Sequence, residues 1–564
     1  MKRLYFTLLL ACLCFAMLTA ANTTKRVVQV NNTVTLTDDV DYVITSPAPF
    51  GDNGVVDIVN TEHAVLILDA VKPSKALSLL SHVKINGERA TSNTNCQVKI
   101  YNRGCIIMPY PANIKPLTVF SGKNFEGVAV SDFGLENSGG FMNTLSDAKL
   151  NNRIQSFKLK RGYMVTFSTL PRGRGYSRCF IAATQDIEMA ELPDILAGRI
   201  SSYRIFKWND TSKSGIANDT RQDPCSKLNV TSCYSFGLGE DRGIDTECVP
   251  HHIYEDWPSA SACGSVTYSP HMKTNNEPGN SADDHPQSVD EILNNWENLM
   301  ATGMRLCSPS SHDGSLNHLR AFMDSIDARG WRCDIIDLHC YWPEGSFNNI
   351  KGSWVDTYKR PIWISEWVWG ASWNNNGIFG VATGTYRDNP TESQLQQNKT
   401  AVQSICTKLN SWDYIERYYY WNSEANCSKI YRDGKLTPAG EYYAGMNTGL
   451  GYNGKYEFIP THPRQYGPAN FKVTNDNGKC IVTWRDLNGE YNQLMEVQRK
   501  PRGGQWETIA VIEQKEMAAN YTYTDENAPE GAAYRVHIID LEGVEYYTND
   551  DLQAGDAVIA ETGQ

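Results

Sequence analysis

Two glutamates stand out by the company they keep. Glu277 follows Thr274, Asn275 and Asn276 and precedes Pro278, at the point where a short apolar run gives way to a polar loop. Glu366 lies eighty-nine residues further on, at the end of the apolar run 361–367, with Trp363 and Trp367 on either side. Paired carboxyl groups are what cleavage of a glycosidic bond requires: one protonates the departing oxygen, and the other attacks the sugar or activates water. Asn276 is a candidate donor to a sugar hydroxyl. Between the acids, the run 338–342 places His339 and Tyr341 on one strand face, since residues two apart share a face. Tyr341 is thus suited to donate a hydrogen bond to Glu366 and hold it ionised. Trp421 closes the run Tyr418-Tyr419-Tyr420 and is a candidate platform for a sugar. Trp342, Trp367, Trp369 and Trp373 are candidate groove walls, because aromatic faces suit the C–H faces of a sugar ring.

These residues need a scaffold that brings distant strand ends together. From 229 to 453, apolar runs alternate with helix-like patterns such as 288–303, 316–330 and 392–410, and polar or aromatic residues gather just after the apolar runs. Strand–helix alternation over about 225 residues predicts a parallel α/β fold, and the length suits a (β/α)8 TIM barrel. Active sites of such barrels collect at the C-terminal ends of the strands, where both glutamates fall.

Several segments occur in a telling order: YSFGLGED at 234–241, ECVPHHIY at 247–254, NNEPGN, LHCYW at 338–342, WISEW, YYYWN, and GKLTPAGEYYA at 434–444. Together they resemble the catalytic core of glycoside hydrolase family 128, retaining endo-β-1,3-glucanases built on a barrel. The resemblance covers about 229–446. It implies that Glu277, after the fourth strand, is the acid/base and that Glu366, on the seventh, is the nucleophile. Overall retention by double displacement follows, with Glu277 the protonated member near neutral pH and no cofactor or metal. His339, Tyr341, Trp342, Trp367 and Trp421 are then substrate-binding, together with Asn276. The chain departs from the pattern at Cys340, where an aromatic is common, and at His251-His252, where apolar residues and a tryptophan are expected. Those departures bear on the sugar subsites rather than on the reaction. A retaining hydrolase of another β-glycan and a non-catalytic glycan-binding surface protein are the alternatives.

Composition narrows the rest. A net charge of −12 on 564 residues, with no basic run beyond short pairs, argues against nucleic acid. Lys2-Arg3, an apolar stretch from Leu4 to Leu18 and small residues to Ala21 read as a signal peptide over 1–21, so the expected location is secreted, periplasmic or cell-surface. A lipid anchor at Cys12 is the lesser expectation, and no stretch is long enough for a membrane span. Thirteen cysteines follow the signal segment; Cys225 with Cys233, or Cys248 with Cys263, would close loops.

The flanking segments read as β. Residues 22–112 are expected to form a β-rich sandwich module without chemistry of its own. Residues 113–208 contain a repeat, in which LNNRIQSFKL at 150–159 returns as LAGRISSYRI at 196–205. The repeat resembles a βγ-crystallin domain. That family binds calcium through paired amide or acid residues, but Gln155, Ala197 and Gly198 occupy ligand positions here, so a metal-free sandwich is expected and calcium is the alternative. Residues 209–228 are Asn-, Ser- and Gly-rich and are expected to be a linker. Residues 466–555 give evenly spaced strands, with Trp484 and Tyr534-Arg535-Val536 resembling the core of a fibronectin type III domain.

Overall fold

The computed structural model describes residues 22–283, 285–369, 389–422, 426–460, 468–476, 478–486, 492–515, 519–540 and 545–548. The signal segment 1–21 and Trp373 lie outside them. The chain is multidomain and falls into two compact units: Met1–Met323 with Arg332–Pro460, and Asp324–Trp331 with Thr461–Gln564.

In the first unit, eight strands run parallel and pair in sequence. They are β1 (Ser214–Ala217), β2 (Ser232–Tyr234), β3 (Glu247–Val249, continued beyond Pro250 by His251–His252), β4 (His271–Thr274), β5 (Arg305–Pro309), β6 (Ile336–His339), β7 (Ile362–Trp367) and β8 (Ile415–Trp421). Each pairs with the next, the β5–β6 link being a single parallel bridge from Cys307 to Ile335. β8 pairs back onto β1, with Ser214 opposite Tyr418 and Ala217 opposite Trp421, which closes the ring. Helices Gln222–Lys227, Ala260–Gly264, Val289–Met300, Leu316–Arg329, Glu392–Ser411 and Pro438–Gly445 follow strands of the ring. Helix Val289–Met300 begins with a capping box between Ser288 and Glu291, which satisfies its first amide groups.

The ring begins earlier than the sequence suggests. Residues 209–228 are not a linker: Asp210–Thr211 is a strand paired with Tyr101–Asn102, Ser214–Ala217 is β1, and Gln222–Lys227 is a helix. The small residues that make β1 look like loop are there because it is tightly enclosed. A Cβ on Gly215 would sit 2.5 Å from the Tyr419 ring, and all four residues of the strand are buried.

Inside the ring, side chains fall in layers. Glu247, His271, Arg305, Glu416 and Arg417, near the strand starts, form a buried ion network with Arg417–Glu247 at 3.1 Å and Arg305–Glu416 at 2.8 Å. Ala217, Tyr234, Val249, Cys307, Ile335, Trp363 and Tyr419 pack as an apolar cluster. The glutamates lie at the strand ends, beside the polar residues described below.

Residues 22–112 are β-rich, and their strands lie in two sheets around one core. Thr23–Val27, Val40–Ile44 and Val65–Leu68 pair in parallel in one sheet, while Thr33–Leu36, Val55–Ile58 and Val83–Ile85 pair in parallel in another. The chain alternates between the two sheets as a short solenoid, closed by antiparallel pairing of Gln97–Asn102 with Gly104–Met108. Leu36, Tyr42, Ile44, Val56, Ile58, Leu66, Leu68, Val83 and Ile85 share its core. Local alternation is the same whether a strand's partner is parallel or antiparallel, so winding is not visible in it.

Residues 113–208 form two four-stranded antiparallel sheets packed through Phe157, Phe167 and Phe180. The strands Ser156–Leu159 and Ser202–Lys207, which start 46 residues apart, take equivalent places in the two sheets. In the second unit, a three-stranded and a four-stranded antiparallel sheet enclose Trp484, stacked on Tyr521 with centroids 5.4 Å apart. All thirteen described cysteines are buried, and neither disulfide left open by the sequence, Cys225–Cys233 or Cys248–Cys263, is formed.

Candidate active site

Glu277 sits three residues past β4, on a tight turn. Asn275 and Glu277 both have positive φ, +32° and +40°, a region that side chains other than Gly, Asn and Asp seldom enter. The turn is held from both neighbouring strands. Asn275 N–H donates to His252 carbonyl oxygen at 2.7 Å, Ser310 N–H donates to Asn275 carbonyl oxygen at 3.0 Å, and Glu277 N–H donates to Ser310 Oγ at 3.1 Å. Backbone strain is thereby offset where it aims a carboxylate.

Glu366 arrives by a different device. Trp363 faces into the ring, where its Nε1 donates to Glu416 at 3.0 Å, so strict alternation would also turn residues 365 and 367 inward. The pairing of β6 with β7 slips between Leu338 and His339, and His339 lies opposite Glu366. That irregularity turns Glu366 inward and Trp367 outward, a local re-aiming characteristic of strand bulges beside active sites.

The two carboxylates meet at His339. Its Nδ1 is 2.7 Å from Glu277 Oε1 and 3.4 Å from Glu366 Oε2, and a nitrogen or oxygen from each of the three lies within 4.8 Å of the others. Tyr341 Oη donates to Glu366 Oε2 at 2.6 Å, and Tyr234 Oη donates to Oε1 at 3.1 Å. Asn280 Nδ2 donates to Glu277 Oε2 at 2.8 Å. The trio could span a cation, but protein donors already occupy these carboxylate oxygens, an arrangement that serves proton and charge control instead.

Charge distribution differs from the expected one. Burial would raise Glu277, but the His339 hydrogen bond and charge, with Asn280 and His312, take it down to about 2. Burial raises Glu366, and the His339 charge and Tyr341 hydrogen bond only partly oppose it. Burial also works against an imidazolium at His339, yet Glu366 and Glu277 together outweigh it and raise the ring above its ordinary value. Glu277 is therefore the more acidic carboxyl and Glu366 the less acidic, with His339 between them more basic than an ordinary histidine. The Tyr341 bond forms as expected but does not by itself keep Glu366 at an ordinary value.

The other candidates divide. Asn276 is half-buried with Nδ2 3.3 Å from Asp283, and its Oδ1 has no partner among the described residues. Trp421 is half-buried, edge-on to Phe236 at 5.8 Å, beside the apolar cluster at the mouth of the ring. Trp367 is not a groove wall: it is 0% exposed and packs edge-on against Tyr420 at 4.9 Å on the outer side of β7. Trp342 is also buried, against Phe347 at 5.7 Å. Trp369 lines a cavity with Glu344, Gln397, Thr400, Ser404 and Ile405.

Tyr234, Asn280 and the exposed aromatics Phe236 and Trp257 were not singled out by the sequence. Tyr234 and Phe236 lie in YSFGLGED, but nothing local distinguishes a tyrosine aimed at a carboxylate from a core tyrosine. Phe236 is 41% and Trp257 52% exposed, and Trp257 stacks with Tyr254, which stacks on His285 at 3.7 Å.

Comparison with known proteins finds several to which parts of the chain are similar. No curated protein matches the chain. Among solved structures, a GH128 (subgroup I) endo-beta-1,3-glucanase from Amycolatopsis mediterranei in complex with laminaritriose is 23% identical, over 41% of this chain and 98% of its own, with a TM-score of 0.36. A GH128 (subgroup VII) oligosaccharide-binding protein from Trichoderma gamsii is 16% identical over 41% of this chain and 92% of its own, with a TM-score of 0.33. A betagamma-crystallin domain from Clostridium beijerinckii is 18% identical over 16% of this chain and 97% of its own, with a TM-score of 0.14. Residues 221–443, which hold both glutamates, match the family model described as glycosyl hydrolase catalytic core.

Proposed function

We propose that this chain is a retaining glycoside hydrolase that cuts β-1,3-glucan internally by double displacement. The ring of strands is read as a (β/α)8 TIM barrel and the second unit as a fibronectin type III-like module. Residues 1–21 are read as the signal that exports the chain. One observation carries the reading: past β4 and on β7, one carboxylate oxygen of half-buried Glu277 and one of buried Glu366 lie within 4.8 Å of each other, with His339 between them. Retaining enzymes hold their carboxyls about 5–5.5 Å apart, and inverting ones about 6.5–9.5 Å apart to leave room for water. The β-1,3 linkage rests on the order of segments from YSFGLGED to LTPAG.

The geometry suggests how protons are managed. With His339 as imidazolium, both carboxylates are ionised. Passing the proton from Nδ1 to Glu277 Oε1, across 2.7 Å, leaves Glu277 neutral, His339 neutral and Glu366 charged. That is the state needed for the first step. Glu366 attacks the anomeric carbon while Glu277 protonates the leaving oxygen, giving a glycosyl ester on Glu366. Glu277, now ionised, takes a proton from water as it attacks the ester, and the sugar leaves with its original configuration.

Incubation with laminarin, curdlan, mixed-linkage glucan, xylan and mannan tests the substrate, and the product sizes separate endo from exo action. Early products followed by proton NMR should show the β-anomer first, and Glu366→Ala should abolish release. Inverted first product, or near-native activity of Glu366→Ala, would refute the assignment. Binding of glucan without release would favour the glycan-binding alternative.

A further inference from the structure

Beneath the glutamates lies an ion pair that the reaction steps above do not use. Lys273 of β4 and Asp337 of β6 are both fully buried, with Nζ 2.5 Å from Oδ2. Two charges taken from water cost several kcal/mol each to desolvate, and well-packed apolar residues often replace such a pair without loss of stability. Folding alone gives little reason for it.

The contacts of the pair lead to Glu366. Lys273 Nζ stands 4.5 Å from the centroid of the Tyr234 ring, and the Tyr234 hydroxyl donates to Glu366 Oε1. A cation over a phenol face fixes the ring and draws electron density from it, which strengthens its hydroxyl as a donor. Asp337 Oδ1 accepts the backbone N–H of Ser365 at 3.2 Å, within the irregular stretch of β7 that turns Glu366 inward. Asp337 is itself anchored, its N–H donating to Ser308 Oγ at 3.0 Å. Each partner therefore holds one of the two things that define Glu366, the donor on its oxygen and the backbone that aims it.

The surrounding groups are few. Glu366 faces Glu277, His339, Tyr341 and Tyr234, and the Lys273 charge opposes the upward effect of burial on it. Lys273 lies opposite His251 of β3, a ring held neutral by burial, with Cys307 of β5 close to both members of the pair.

We propose that Lys273 and Asp337 are positioning residues that act through Tyr234 and Ser365 to aim Glu366 and balance the charge beneath it. The inference rests on the reading of Glu366 as nucleophile. Its test does not need turnover: the Glu366 carboxyl is titrated by NMR in protein labelled with [5-13C]glutamate, with the resonance assigned from Glu366→Gln. Lys273→Met removes a nearby positive charge, so the midpoint should rise by about one pH unit. Asp337→Asn leaves Lys273 uncompensated, so the midpoint should fall. Lys273→Gln keeps a hydrogen bond to Asp337 and should show the same rise if the Met variant does not fold. The acid limb of kcat/KM should move with each midpoint. Unshifted midpoints, or shifts of the same sign in the Lys273 and Asp337 variants, would overturn the role. Absence of glucan hydrolysis by the native protein would instead overturn the proposed reaction and leave the titration to be read.

Discussion

In the proposed reaction, His339 is the residue on which the chemistry turns. It bonds Glu277 and faces Glu366, and its raised proton affinity comes from these two carboxylates despite full burial. Activity should fall at low pH as Glu366 takes up a proton, with the acid limb above an ordinary glutamate because burial raises it. Activity should fall at high pH as His339 loses the proton destined for Glu277, with that limb above an ordinary histidine. In His339→Gln the proton source is gone and Glu277 must supply its own. kcat/KM should drop by roughly 10²–10⁴ and the alkaline limb should move to lower pH. A pH profile of kcat/KM checks this, and an unmoved alkaline limb would remove His339 from the proton path. The sequence made His339 and Tyr341 legible as a pair on one face; which carboxylate each serves depended on where β4, β6 and β7 end in space.

Among elements, β7 shows most clearly what pattern reading misses. All six of its residues are buried, and the slip against β6 decides which of them face the ring. Trp367 thereby joins Tyr418 and Tyr420 outside the ring, while Trp257, beyond β3, is exposed on a stack with Tyr254. Trp367→Ala should destabilise the protein by about 3–5 kcal/mol through the cavity it leaves. Trp257→Ala should leave stability within about 0.5 kcal/mol and raise KM for long glucans if that ring supports the chain. Denaturant unfolding beside KM measurements separates the two, and a large KM effect from Trp367→Ala with native stability would reverse them. β1 makes the complementary point: with Ser214, Gly215 and Ala217 in its four residues it reads as linker, and at Gly215 the Tyr419 ring fills the space a side chain would need.

At the scale of the whole molecule, the flanking modules differ in how much of them could be foreseen. The 46-residue repeat announced two matching sheets, and its second copy has Ala197 and Gly198 where the resemblance expects oxygen-bearing side chains. A groove of about 540 Å³ beside the first copy is lined by Lys149 and Arg153 as well as Asn152 and Gln155, which disfavours a cation there. Calcium and EGTA should therefore give the same melting temperature, measured by calorimetry; a rise of several degrees with calcium would show that the module binds it. The solenoid winding of residues 22–112 was not foreseeable, because inward and outward alternation is common to parallel and antiparallel strands.

The sequence by itself determined the chemical types and their order along the chain: two glutamates on strand ends, a histidine and tyrosine two apart, and the alternation that closes a ring of strands. These are local properties, written in spacing and hydropathy. The tertiary structure decided which side chains share a volume. It brought Tyr234 and Tyr341 to opposite oxygens of Glu366, placed Lys273 and Asp337 beneath them, and sent Trp367 outward. It also set the order of acidity, Glu277 below Glu366 with His339 raised between them, because burial and neighbouring charge are sums over residues far apart in sequence, and no single segment contains them.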